Sequence, residues 1–236
     1  MNIALLLAGG VGHRTNQDIP KQFLNVFDKP IIIYTLEVFQ NHPDIDQILV
    51  VCLKGWNEIL WAYAKQFNIS KLRLVVVGGE NGQESASNGV YELEKICKED
   101  DIVIIHDAIR PMVSIDIISD CIVKCRSYGS GLAAVRCQET IIKSKDGIKG
   151  VEGIDRREIM RVQTPQAYKY GKLLWAYKEA LKRDITNAIY TNTIMTDLGE
   201  EMYFSLGSDK NIKITTLEDI DMFKALYTTH KPDWMK

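Results

Sequence analysis

Short, uninterrupted apolar runs alternate along this chain with longer stretches in which apolar positions return at helical spacing. The runs Ile3–Leu7, Gln47–Leu53, Arg73–Val77, Ile102–His106 and Gly131–Cys137 read as strands buried on both faces. Between them, Pro30–Gln40, with proline at a helix start, Trp56–Phe67, Glu84–Cys97 and Ile115–Ser127 read as helices. Such alternation predicts an α/β fold: a mostly parallel sheet with helices on both faces, joined by right-handed crossovers. No internal repeat or linker interrupts it, so a single domain over residues 1–236 is expected.

After Cys137 the rhythm changes. Glu139–Ser144 and Gly147–Gly153 form two β-like arms around Lys145-Asp146-Gly147, which predicts a protruding β-arm at about residues 138–158. A polar arm that cannot bury both faces on its own domain is either a dimer contact or a solvated flap. Helices are then predicted at Gly171–Lys182 and Thr186–Leu198, strands at Met202–Ser205 and Asn211–Thr215, and a final helix with Thr216 as N-cap.

Charge and composition narrow the function classes. Lys+Arg 29 against Asp+Glu 31 gives a net charge of -2, so the overall balance attracts neither a nucleic-acid polymer nor an anionic membrane. The opening MNIALLLAGG lacks a basic n-region, and its apolar run is too short for a signal peptide or a membrane span, which predicts a cytoplasmic protein. The five cysteines include no C-x-x-C pair, and the four histidines lie at no metal-ligand spacing, so neither a disulfide framework nor a zinc centre is predicted. Cys121 and Cys125 read as small buried hydrophobes.

Candidate chemistry begins directly after the first strand. In Leu7-Ala8-Gly9-Gly10-Val11-Gly12-His13-Arg14, three glycines allow backbone N–H groups to approach an anion closely. No Gly-Lys-Ser/Thr follows, so this is not a Walker A loop, and Thr15 replaces the third glycine of a dinucleotide fingerprint. Arg14 and Lys21 follow as cations able to close on a polyphosphate, and Lys21 is set between Pro20 and the apolar Phe23-Leu24. The strand Ile102–His106 ends in Asp107-Ala-Ile-Arg110-Pro111. Ligands collect at the carboxyl ends of parallel strands, so Asp107 reads as a metal–phosphate residue and Arg110 as a phosphate clamp. The same two residues could instead pair to brace the loop.

Seven ordered stretches resemble one family: Ala8-Gly-Gly-Val-Gly-His-Arg14, Pro20-Lys-Gln-Phe23, Gly78-Gly79 with Ser85, His106-Asp-Ala-Ile-Arg-Pro111, Ile154-Asp-Arg156, Gln163-Thr-Pro-Gln166 and Asn211-Ile-Lys-Ile-Thr215. The chain is similar to the 2-C-methyl-D-erythritol 4-phosphate cytidylyltransferases and the related ribitol 5-phosphate cytidylyltransferases. The resemblance implies a Rossmann-like fold of the nucleotide-diphospho-sugar transferase type. It also implies CTP as substrate, Mg²⁺ as cofactor and a homodimer joined through the β-arm. By the same resemblance Arg14 and Lys21 are the catalytic cations, joined by Lys213. Leu7, Ala8, Gly9, Gly10, Gly12, Gly79, Gln83 and Ser85 surround CTP, with Asp107 at the metal. Arg110, Thr140 and Arg156 belong to the acceptor side, the last two in a site built across the dimer.

The chain departs from the family pattern in places. Gly82 stands where the family carries arginine, leaving Asn81 or Gln83 as the nearest polar replacement. Glu139-Thr140 replaces Asp-Thr, and Thr191-Asn-Thr-Ile-Met195 replaces Thr-Asp-Glu-Ala-Ser. These changes fall mainly on the acceptor side. They point to a ribitol 5-phosphate-like acceptor used for surface polysaccharide, with the isoprenoid precursor 2-C-methyl-D-erythritol 4-phosphate as the alternative. Two other classes compete. The glycine turn suggests an NAD(P)-linked oxidoreductase, against which the missing third glycine counts, and Gly82 suggests an inactive nucleotide-binding module, against which Arg14 and Lys21 count.

Overall fold

The computed structural model describes residues 1–10, 19–186, 188 and 190–229. Strands β1 (Asn2–Ala8), β2 (Asn25–Val26) and β3 (Lys29–Pro30) lead into helix α1 (Ile31–Asn41). β4 (Gln47–Cys52), α2 (Asn57–Gln66), β5 (Leu72–Val77), α3 (Gly82–Glu92), β6 (Ile102–Asp107), α4 (Ile115–Tyr128) and β7 (Ser130–Arg136) follow in strict alternation. The remainder is β8 (Ile141–Lys143), β9 (Glu152–Ile154), β10 (Met160–Lys169), α5 (Tyr170–Lys182), α6 (Thr191–Asp197), β11 (Phe204–Leu206) and α7 (Leu217–Thr229). A seven-stranded sheet in the order β11-β7-β10-β6-β1-β4-β5 organises them, with β10 antiparallel to both neighbours and the other pairings parallel.

The continuous apolar strands are explained by burial on both faces. Along β1, Ala4, Leu6 and Ala8 face one core with α1, α2 and α4, while Ile3 and Leu5 face the other with α3, α5 and α6. A third, smaller cluster joins Tyr34 of α1 to Ile220 and Phe223 of α7. Cys121 and Cys125 lie in the first core, as the sequence predicts, and the five cysteines are unpaired. Thr216 does open α7: its hydroxyl accepts from Asp219 N–H at 3.3 Å, while the Asp219 carboxylate accepts from the Thr215 and Thr216 N–H groups.

Besides the short unpredicted pair β2–β3, four elements differ from the sequence reading. β10 was not predicted, because Gln163, Thr164, Pro165 and Gln166 break its apolar pattern; the three polar side chains are buried and hydrogen-bonded, Gln163 to the Ser208 carbonyl, Thr164 to Asp107 N–H at the end of β6 and Gln166 to Asn192 of α6. Asn211–Thr215 is not a strand: its backbone makes local turn bonds, a bond from Ile214 N–H to the Ile109 carbonyl, one from Thr215 N–H to Asp219 and a carbonyl taken by Arg110, with no strand ladder. The helix expected from Thr186 starts only at Thr191. The arm's strands pair Ile141 with Ile154 and Lys143 with Glu152, so the connection is wider than a tight hairpin turn and is folded around the Asp146 carboxylate.

α3 lies close to the sheet because Gly89 faces it. A Cβ there would sit 2.6 Å from Leu5 Cδ1 and 2.7 Å from Val51 Cγ2, both fully buried. Gly89→Ala gains about 1 kcal/mol in helix propensity but overpacks the core by about 1–3 kcal/mol. A net loss of about 1 kcal/mol is expected in urea unfolding, and an unchanged midpoint would show that α3 can withdraw freely.

Candidate active site

On either side of β1 the chain runs in opposite directions through the sheet, to β4 on one side and β6 on the other, and the crevice at such a switch point opens at the carboxyl ends of the strands. Register sets its walls: Leu7 pairs with Asp107 and Ala8 with Cys52. A cavity of about 590 Å³ opens there, within the usual size range for a small-molecule site. Leu7, Ala8, Gly9, Gly10, Lys21, Gly79, Gln83, Ser85, Asp107 and Lys213 all line it.

One wall is built from close backbone approach. A Cβ on Gly9 or on Gly78 would lie 3.0 Å from Ser85 Oγ, and one on Gly79 would lie 2.3 Å from Glu84 Cβ. The buried Ser85 hydroxyl accepts from Gly79 N–H at 3.1 Å. Asn81 caps α3 by accepting from Glu84 N–H at 2.9 Å, and the Glu84 carboxylate takes Glu80 N–H in return. Asn81 and Gln83, the candidate replacements for the family arginine, are therefore already engaged. Gln83 accepts from Ala188 N–H at 2.9 Å and donates to the Ile185 carbonyl, tying the start of α3 to the chain before α6.

Lys21 is positioned by its neighbours. Pro20 leads into a single tight turn, Lys21–Phe23, in which Phe23 is buried and stacks on Trp56 at 4.6 Å. Gln22 is also buried, and its amide donates to the carbonyls of Ala8 at 2.8 Å and Gly10 at 3.0 Å. The turn bearing Lys21 is thus stapled to the glycine turn.

The opposite wall centres on Asp107, whose backbone N–H donates to Thr164 Oγ1 at 3.0 Å. Its side chain is 9% exposed; one oxygen accepts from Arg110 Nε at 3.0 Å and the other from Lys213 Nζ at 3.1 Å. Burial pushes the Asp107 pKa up, but Lys213 and Arg110 pull it down more strongly together, and the net direction is down. Arg110 also donates to the Asn211 carbonyl at 2.7 Å, and the Asn211 amide donates to the Thr164 carbonyl at 2.8 Å. This lattice fixes the irregular segment that carries Lys213. His106, fully buried beneath it, has its pKa lowered to about 3 by burial and is neutral at pH 7.

Of the predicted residues, Arg110 stands behind Asp107 and braces it, the pairing recognised in the sequence as the other possibility. Thr140 and Arg156 lie on the exposed arm, away from the cavity lining, with Arg156 Nη1 donating to the Gln138 carbonyl at 2.6 Å. Arg14 and Gly12 lie outside the described residues. Sequence reasoning missed Gln22, Thr164, Tyr190 and Thr215 in the cavity surroundings. Gln22 was within reach, since a glutamine amid apolar neighbours must find partners if buried.

Metal binding can be judged from the donor set. No group of three His, Cys, Asp or Glu side chains among the described residues could enclose a metal ion. Asp107 is the carboxylate at the centre of this wall, and its two oxygens have lone pairs beyond those used by Arg110 and Lys213. The site therefore fits a Mg²⁺ ion shared with ligand phosphates and not one held by protein alone.

A glycine-walled crevice at the sheet's switch point, facing an Asp–Lys pair across room for a nucleotide, places the chain among the nucleotidyltransferases. More narrowly, it belongs to the 2-C-methyl-D-erythritol 4-phosphate cytidylyltransferase family, whose model matches residues 2–229. It is 49% identical over 227 residues to the ribitol-5-phosphate cytidylyltransferase of Lacticaseibacillus paracasei, covering 95% of this chain and 97% of that one. It is 36% identical over 220 residues to the 2-C-methyl-D-erythritol 4-phosphate cytidylyltransferase of Clostridium botulinum, covering 93% and 94%. The crystal structure of the Francisella tularensis 2-C-methyl-D-erythritol 4-phosphate cytidylyltransferase superposes with a TM-score of 0.80 at 30% identity, covering 95% and 98%. Family membership excludes the oxidoreductase reading of the glycine turn.

The depressed His106 pKa has a stability consequence. Above the ordinary value of 6.5 both folded and unfolded states hold it neutral; as pH falls from 6.5 towards about 3, only the unfolded state takes up the proton, so stability declines. In His106→Asn the decline in unfolding free energy between about pH 6.5 and pH 5 is expected to be shallower. Equal slopes in urea titrations would show that His106 is not held neutral.

Proposed function

We propose that this chain transfers the CMP part of CTP to the phosphate of ribitol 5-phosphate, forming CDP-ribitol and releasing pyrophosphate. The observation that carries the acceptor is the 49% identity, over nearly the full length of both chains, to a ribitol-5-phosphate cytidylyltransferase. The reaction itself is supported by a cavity whose two walls suit two anions. Backbone and small side chains with Lys21 form the nucleotide wall, and Lys213 with Asp107 forms the acceptor wall.

The chemistry follows from charge. The acceptor's phosphate has a second pKa near ~6, so its nucleophilic oxygen is ionised at neutral pH and no general base is needed. That oxygen attacks the α-phosphorus, the new P–O bond forms, and the bond from the α-phosphorus to the bridging oxygen breaks, leaving pyrophosphate. Lys213 holds the acceptor phosphate, while Lys21, joined by Arg14, neutralises charge on the triphosphate. Mg²⁺, held by Asp107 and the phosphates, would add Lewis-acid neutralisation of the same charge. Asp107 holds the Lys213 ammonium in place.

The arm is proposed as a dimer contact. Ile142, Ile148 and Val151 are exposed on it, an unusual concentration of apolar surface on so small an element. Thr140 and Arg156 would then serve the partner's acceptor site. No helix among the described residues is long and apolar enough to cross a membrane, and we place the enzyme in the cytoplasm, where CTP is made.

Pyrophosphate release with CTP and Mg²⁺ is expected with ribitol 5-phosphate in preference to 2-C-methyl-D-erythritol 4-phosphate. The reverse preference would move the chain to isoprenoid synthesis, and no release with either would overturn the assignment. Lys21→Ala is expected to lower kcat about 10²–10³-fold, by analogy with loss of one transition-state donor. Deleting residues 143–149 should yield a monomer of low activity on size-exclusion chromatography; a fully active dimer from that variant would remove the arm from the assembly.

A further inference from the structure

Tyr190 stands at the acceptor wall although nothing in the local sequence marks it. It occupies the extended residue before α6, at φ −146° and ψ 163°, and its side chain enters the cavity lining. The flanking chain holds it from both sides. Ala188 is tied to Gln83, and Thr191 bonds through its hydroxyl to the buried Tyr177 hydroxyl at 2.8 Å.

The Tyr190 hydroxyl lies 3.2 Å from Lys213 Nζ, and the ammonium sits 5.0 Å from the centre of the Tyr190 ring. An ammonium has no acceptor capacity, so Lys213 donates and the phenol oxygen accepts. The phenol proton is therefore directed elsewhere. Lys213 gives one N–H to Asp107 and one to Tyr190, and the third remains for a ligand anion. Cation and phenol thus present neighbouring donors to whatever occupies this wall. They differ in kind: an ammonium suits a phosphate, whereas a neutral phenol suits a hydroxyl oxygen beside it.

We propose that Tyr190 reads the polyol part of the acceptor, donating its O–H to the hydroxyl next to the phosphate-bearing carbon while Lys213 holds the phosphate. This rests on the polyol-phosphate reading above. It makes Tyr190 a specificity residue, because a polar site left unpaired rejects the analogue that lacks its hydroxyl.

The test compares wild type and Tyr190→Phe in pyrophosphate release with ribitol 5-phosphate and with its analogue lacking the hydroxyl beside the phosphate-bearing carbon. Wild type is expected to favour the natural acceptor by at least about tenfold in kcat/KM, the scale of one hydrogen bond. Tyr190→Phe should lose about tenfold with ribitol 5-phosphate, lose little with the analogue, and keep its KM for CTP, which also reports that the variant is folded. Equal discrimination by the two proteins would overturn the role of Tyr190 while leaving the acceptor assignment intact. A wild type that uses no polyol phosphate would instead overturn that assignment, and the Tyr190 proposal with it.

Discussion

A buried carboxylate must be satisfied, and in this molecule the satisfaction of Asp107 organises one wall of the central cavity. It ends the central strand β6, where an unpaired negative charge would be costly to bury. Arg110 takes one oxygen and Lys213 the other, from positions far apart in the chain. Through Arg110 the same carboxylate reaches the Asn211 carbonyl, and through Asn211 it reaches Thr164 of β10. The segment that brings Lys213 into the cavity has no strand or helix of its own. It keeps its path because these polar groups leave it no better one.

The two walls solve different problems with different materials. On the glycine-walled side of the cavity, a side chain at Gly9, Gly78 or Gly79 would collide with Ser85 or Glu84, so the wall is mostly backbone with little side-chain bulk. On the opposite wall the polar groups are long side chains, Lys213 and Tyr190, whose positions depend on tertiary contacts. Gln83 links the walls by joining α3 to the chain before α6. Its engagement there also bears on Gly82, since the residue nearest to replacing the family arginine has been given a structural task.

The cavity residues around the glycine turn were readable because their sequence signals are local. Gly9 and Gly10 follow an apolar strand directly and Lys21 sits in a constrained Pro-Lys-Gln-Phe turn, while on the opposite wall Asp107 ends another strand, so each is marked by its neighbours in sequence. Tyr190 and the path of Asn211–Thr215 carried no such mark. β10 was hidden for a related reason: a strand containing Gln163, Thr164, Pro165 and Gln166 looks like a loop until its partners are known. Buried polar residues are invisible to hydrophobic periodicity, because what makes them tolerable is a hydrogen bond supplied from elsewhere.

Sequence alone determined the α/β alternation, the strands buried on both faces, the cap of the last helix, the glycine turn and the family. All of these are written in neighbouring residues through periodicity, backbone freedom and ordered motifs. Only the tertiary structure decided that β10 enters the sheet antiparallel, that Arg110 braces Asp107, that Gln22 staples Lys21 to the glycine turn, and that Tyr190 meets Lys213. Apart from the Arg110–Asp107 brace, which is local and which the sequence offered as one of two readings, each of these joins residues well separated in the chain, and such a contact exists only once strand order and register have brought its two halves within hydrogen-bonding distance.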